Sequence, residues 1–140
     1  MMKEQNTKTT VLLTLTGLFA SMITVMTAYI FHVPYGANGG YIHFGDALIY
    51  VAAVILPRPY ALAAAAIGGG LADLLTAPMW APATIIIKML IVLPFTSQTG
   101  KLLTKRNIIA PFLSALLSAA GYYPVSYTHL RAHETGRNLV

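Results

Sequence analysis

Asp46, Asp73 and Lys88 lie in stretches that otherwise carry no charge: Asp46 is followed by ALIYVAAVIL, Asp73 is preceded by ALAAAAIGGGLA, and Lys88 sits within TIIIKMLIVL. An ionised side chain at hydrocarbon depth costs roughly 2.5–3.5 kcal/mol on insertion scales, so such residues face a cavity or a partner. Each has a structural use. Asp46 suits the N-terminal end of a helix, where a carboxylate meets free backbone N–H groups. Asp73 can bond to a neighbouring helix, and Lys88 can form an ion pair with either acid. Together they would also make a binding pocket, in which Lys88 meets an anionic or carbonyl group while Trp80 or Tyr41 stacks on a flat ring. Thr84, one helical turn before Lys88, Asn38 in a Gly-rich loop and His43 complete the candidate set. A histidine in such a place is more often a satisfied structural residue than a ligand, and the same holds for His32. With no cysteine in the chain and no third acid, the residues argue against a metal site, and no cofactor is expected. Neither a nucleophile with an adjacent base nor a working carboxylate pair is legible, so the set reads as one that binds rather than catalyses.

The positions that hold these residues follow from composition. Of 140 residues, 56% are hydrophobic and 9% charged, against about a quarter charged in soluble domains. That shortage of charge points to lipid as the solvent and to an all-α, polytopic membrane bundle. The net charge of +5 comes from scattered cations without interleaved aromatics, which argues against nucleic acid. Lys3 and Lys8 precede an apolar run that outlasts a signal peptide's core, so the run reads as a first span.

The C-terminus breaks this pattern. From Val125 the chain reads VSYTHLRAHETGRNLV, which resembles the translation of a transposon-based sequencing adapter, its mosaic end GTC TCT TAT ACA CAT CTC encoding Val125 to Leu130. Residues 124–140 are therefore expected to be non-native, with natural sequence ending near Tyr123 and His129, His133 and Glu134 carrying no chemistry. The other reading is a real polar tail.

Within residues 1–123, hydropathy predicts spans over about 10–33, 41–56, 60–77, 83–96 and 108–123. PYGANGG (34–40) reads as a loop, Pro57-Arg58-Pro59 as a helix stop, and Gly68-Gly69-Gly70 as a site of close helix approach. A cytoplasmic N-terminus would put Lys3, Lys8, Arg58, Lys101, Lys105 and Arg106 on the inner side and the polar residues of the candidate pocket on the outer side. Along the first span Thr16, Ala20, Thr24 and Ala28 recur every four residues, with Gly17 and Ser21 beside them. This small-residue stripe would serve either a partner helix or packing within the chain.

GGYIHFGDALIYVAAVILPRPYALAAAAIGGGLADLL, WAPATIIIKML, TKRN and GYY together resemble the S components of energy-coupling-factor importers, above all the riboflavin-type group and those without a known substrate. The resemblance implies a six-helix membrane bundle, here with about five helices present, in the plasma membrane of a prokaryote. It implies that a vitamin or related nutrient is captured from outside, and that a transmembrane coupling protein and two cytoplasmic ATPases are partners. In that family the first helix carries an AxxxA-like stripe against the coupling protein. Ala20 and Ala28 match it, while Thr16 and Thr24 depart from it. The absence of a phosphate-binding loop suits a subunit whose ATP hydrolysis occurs elsewhere. The alternatives from another class are a membrane-embedded enzyme or a secondary transporter using Asp46, Asp73 and Lys88 as a proton or ion relay.

Overall fold

The structure, a computed structural model, describes residues 1–30, 32–35, 40–97 and 100–137, with 32–35, 40–43, 129, 130, 133, 135 and 137 described by backbone alone. Among the described residues the α-helices are α1 Met2–Val25, α2 Gly45–Ile55, α3 Arg58–Thr76, α4 Ala81–Val92 and α5 Lys105–Arg137. Two short strands, β1 His32–Tyr35 and β2 Gly40–His43, form an antiparallel hairpin between α1 and α2. The architecture is an all-α membrane bundle with this one ribbon inserted.

Several boundaries differ from those that hydropathy predicts. The first span ends at Ile30, because α1 runs into a π-turn over Met26–Ile30 and His32 and Val33 then extend as strand. Pro34, Tyr35 and Gly40 of the expected loop belong to the hairpin, as do Tyr41 to His43 of the expected second span. Apolar runs of three or four residues do not distinguish strand from helix by periodicity. Pro34 is tolerated because every strand of a two-stranded ribbon is an edge that can spare one N–H donor. Pro59 lies in the first turn of α3, where its missing N–H costs no helical bond, so α3 starts at Arg58 rather than at Tyr60. Trp80 closes a 3₁₀ turn, Pro78–Trp80, that leads straight into α4. Helix α4 ends at Val92, shortly before Pro94, rather than near Thr96. Helix α5 begins at Lys105 and continues past Tyr123 to Arg137, with Pro111 and Pro124 inside it.

Among the described residues, three helical stretches are long and apolar enough to cross a membrane: Met2–Ile30, Arg58–Thr76 and Lys105–Thr128. Gly45–Ile55 and Pro78–Val92 are apolar but shorter. Helix α3 is the hub, packed against α1 on one side and α4 on the other, with α5 against α4. Its inner face is built from Ala61, Ala64, Ala65, Gly68 and Ala72, all buried. The glycines set how close the neighbours come. A Cβ on Gly68 would stand 2.8 Å from the Ile23 side chain and 2.9 Å from the Ala20 carbonyl oxygen, so α1 can lie against α3 only because none is there. The hydroxyl of Thr24 lies in the same seam and shares its proton between the Ala20 carbonyl of its own helix at 2.8 Å and the Gly68 carbonyl at 3.1 Å.

Two connectors meet at one end of the bundle. Pro57-Arg58-Pro59 and Phe95-Thr96-Ser97 line a common cavity there. The α4–α5 connector is pinned by the buried Asn107, whose amide accepts from the Thr96 N–H at 2.9 Å and donates to the carbonyls of Thr96 and Leu102, each at 2.9 Å. Arg106 donates to the carbonyls of Pro94 at 2.7 Å and Leu93 at 3.2 Å, placing a cation on the free carbonyls at the end of α4.

Candidate functional site

Four helices converge away from those connectors. Asp46 projects from the first turn of α2, Asp73 from the last turn of α3, Thr84 and Lys88 from successive turns of α4, and Tyr122 from α5. Spacing of four on α4 puts Thr84 and Lys88 on one face, and both are 2% exposed. Buried polar groups of this kind need partners, since an unpaired one forfeits its full hydration.

They have them. The Lys88 ammonium is ion-paired with Asp46 Oδ1. The Thr84 hydroxyl donates to Asp73 Oδ2. A hydroxyl has one proton, so the 3.1 Å contact between Thr84 Oγ1 and the Tyr122 hydroxyl must be donated by Tyr122. The result is a directed chain from Tyr122 through Thr84 to Asp73. Lys88 Nζ also lies 5.8 Å from the centroid of the Tyr122 ring, within cation–π range. The Tyr122 ring in turn lies 6.4 Å from that of Trp80, tilted by 55°. Gly69 makes room for this arrangement. A Cβ there would fall 2.8 Å from Lys88 Cγ and 3.5 Å from Thr84 Cγ2, so the lysine stem crosses α3 where the middle residue of the glycine triplet leaves it bare.

Of the residues singled out from sequence, Asp46, Asp73, Trp80, Thr84 and Lys88 are thus brought together. Tyr41 and His43 are placed by backbone only, in the strand that leads into α2, and Asn38 lies outside the described residues. Lys88 is already neutralised by Asp46, the ion-pair arrangement that was one of the two readings of its spacing. Tyr122 and Gly69 were missed as site residues. The GYY motif and the glycine triplet were the signals, but only a contact between helices reveals what they face. No group of three or more metal-ligating side chains occurs among the described residues.

The stripe on α1 has a use inside the chain. Thr16 and Ala20 are buried and Thr24 and Ala28, the last in the π-turn, half-buried; Ala20 and Thr24 meet α3 at Gly68. Gly17 and Ser21 beside them are exposed, and a Cβ on Gly17 would meet nothing within 4 Å.

Residues 6–129 match the family model "ECF-type riboflavin transporter, S component". An uncharacterized protein in the gap 3′ region of Pyrococcus woesei is 32% identical over 108 residues, covering 75% of this chain and 71% of that one. No solved structure matches. A match over nearly the whole helical bundle, including all four helices that build the polar cluster, shows that the chain belongs to the family of ECF-type riboflavin transporter S components.

Proposed function

We propose that this chain is the substrate-binding subunit of an ATP-driven importer and captures an uncharged, ring-bearing vitamin, with riboflavin the first compound to test. The observation that carries the reading is the buried cluster itself. Asp46, Asp73 and Lys88 sum to one excess negative charge, and the only cation among them is already paired with Asp46. A pocket built on this cluster disfavours phosphate and carboxylate groups and favours a neutral ligand whose hydroxyl or ring N–H donors approach Asp73. The half-buried Trp80 and Tyr122 rings supply flat surface for a ring.

Depth supports the same reading. The 11 residues of α2 rise only about 16 Å, roughly half of a 30 Å hydrocarbon core. With Arg58 at a membrane boundary, Asp46 and the start of the hairpin lie within the core. Irregular backbone at that depth is tolerated where it lines a cavity. The cations at the connector end support an orientation with that end inside and the pocket outside.

S components of this family associate with a transmembrane coupling protein and ATPase subunits. Here the contact with the coupling protein falls on the exposed small residues of α1, Gly17 and Ser21, beside the stripe that packs inward. Residues 124–140 take no part in capture. Saturable binding of unmodified riboflavin by the purified full chain, at least tenfold weaker for its phosphorylated form, is the expected result. A chemically altered product, or uptake that survives loss of the ATPases, overturns the reading in favour of an enzyme or an ion-coupled carrier.

A further inference from the structure

At the end of the bundle opposite the polar cluster, the two connectors line a partly open cavity of about 290 Å³, just under the roughly 300–1,000 Å³ usual for small-molecule sites. Its wall is divided. Val92 and Phe95 are buried apolar residues, whereas Arg58, Thr96 and Ser97 bring a guanidinium and two hydroxyls. Arg58 makes no ion pair with a carboxylate among the described residues, unlike Lys8 with Glu4 and Lys88 with Asp46. Arg106, the other arginine of this end, is committed to the carbonyls of Leu93 and Pro94. The hydroxyl-bearing segment is held in place, because Asn107 grips both backbone groups of Thr96. Ile55 and Leu93, within two residues of the cavity-lining Pro57 and Val92, are exposed apolar side chains.

We propose that this cavity binds the headgroup of an anionic phospholipid. The phosphate lies on the Arg58 guanidinium and the Ser97 hydroxyl. The glycerol rests on Phe95 and Val92, and the acyl chains leave along Ile55 and Leu93. A guanidinium matches a phosphate with two parallel N–H donors, and a hydroxyl adds a third donor. A free phosphate would use the same donors, but it would leave the apolar half of the wall and its apolar flanks uncovered. The proposal rests on the membrane bundle alone and not on the ligand assigned to the opposite end, so either can fail without the other.

Native mass spectrometry of the full chain, titrated in detergent with phosphatidylglycerol and with phosphatidylcholine, tests it. The wild type should take up one phosphatidylglycerol at roughly tenfold lower concentration than phosphatidylcholine. R58Q should abolish that preference, R58K should keep part of it, and K101Q, a change in the same basic region but outside the cavity, should leave it intact. Helical circular dichroism and the unfolding midpoint of the same samples in detergent report whether each variant is folded. Preference retained in R58Q, or equal loss in K101Q, overturns the proposal. Binding of inorganic phosphate without any preference between the lipids also overturns it.

Discussion

Replacing Lys88 by methionine tests the central cluster most directly, because it removes the charge and keeps most of the stem. Breaking a fully buried ion pair by deleting one partner costs roughly 3–5 kcal/mol, whereas an exposed pair is worth about 0–1 kcal/mol. The Lys88 side chain is 3% exposed and that of Asp46 23%. The expected cost therefore falls between those limits, about 2–3 kcal/mol, or roughly 5–10 °C in the unfolding midpoint of a chain this size. Part of that cost is the stranded Asp46, left beside Asp73 with no cation. The double variant D46N/K88M removes the stranded charge and should recover most of the loss, giving a coupling energy of about 2 kcal/mol. The corresponding cycle with D73N should show weaker coupling, since Asp73 already accepts from Thr84. Unfolding of the ligand-free chain in mixed micelles, followed by circular dichroism across an SDS titration, measures all of these. A K88M cost below about 0.5 kcal/mol, or no recovery in D46N/K88M, would show that the pair does not organise the site.

Gly69→Ala should cost about 1–3 kcal/mol by crowding the lysine stem, and it should lower riboflavin affinity in the same binding titration. Gly17→Ala, a substitution into open space, should be neutral or stabilising by roughly 0.5–1 kcal/mol in the same unfolding assay. Gly17→Leu should impair pull-down of the coupling protein while sparing ligand binding, whereas Ala20→Leu, which adds bulk where α1 lies against α3, should destabilise the isolated chain. Thr84→Val leaves Asp73 and the Tyr122 hydroxyl without their common partner; riboflavin affinity should fall by roughly tenfold or more. A chain ending after Tyr123 should bind riboflavin as the full chain does, which checks that residues 124–140 take no part.

Composition and the distribution of charge were enough to determine that this chain folds in lipid, because so low a charged fraction cannot cover a water-exposed surface. They also determined which residues are exceptional, since Asp46, Asp73 and Lys88 interrupt runs of otherwise uniform chemistry. The motif strings around them carried the family, because they preserve order and spacing along the chain. The ends of elements were less legible. The hairpin at His32–Tyr35 and Gly40–His43 is hidden in apolar runs too short to show a period, and Pro59 looks like a stop until its place in the first turn of α3 is seen. Tertiary structure alone decided which partner each exceptional residue takes. Lys88 has two acids within reach of its spacing, and it goes to Asp46 because Gly69 opens the path for its stem while Thr84 occupies Asp73. The same contacts turned the α1 stripe inward, where Gly68 lets Ala20 approach, and brought Tyr122 into the cluster from a helix far away in sequence. Spacing along one helix determines which side chains share a face; only the packing of helices against one another determines what that face meets.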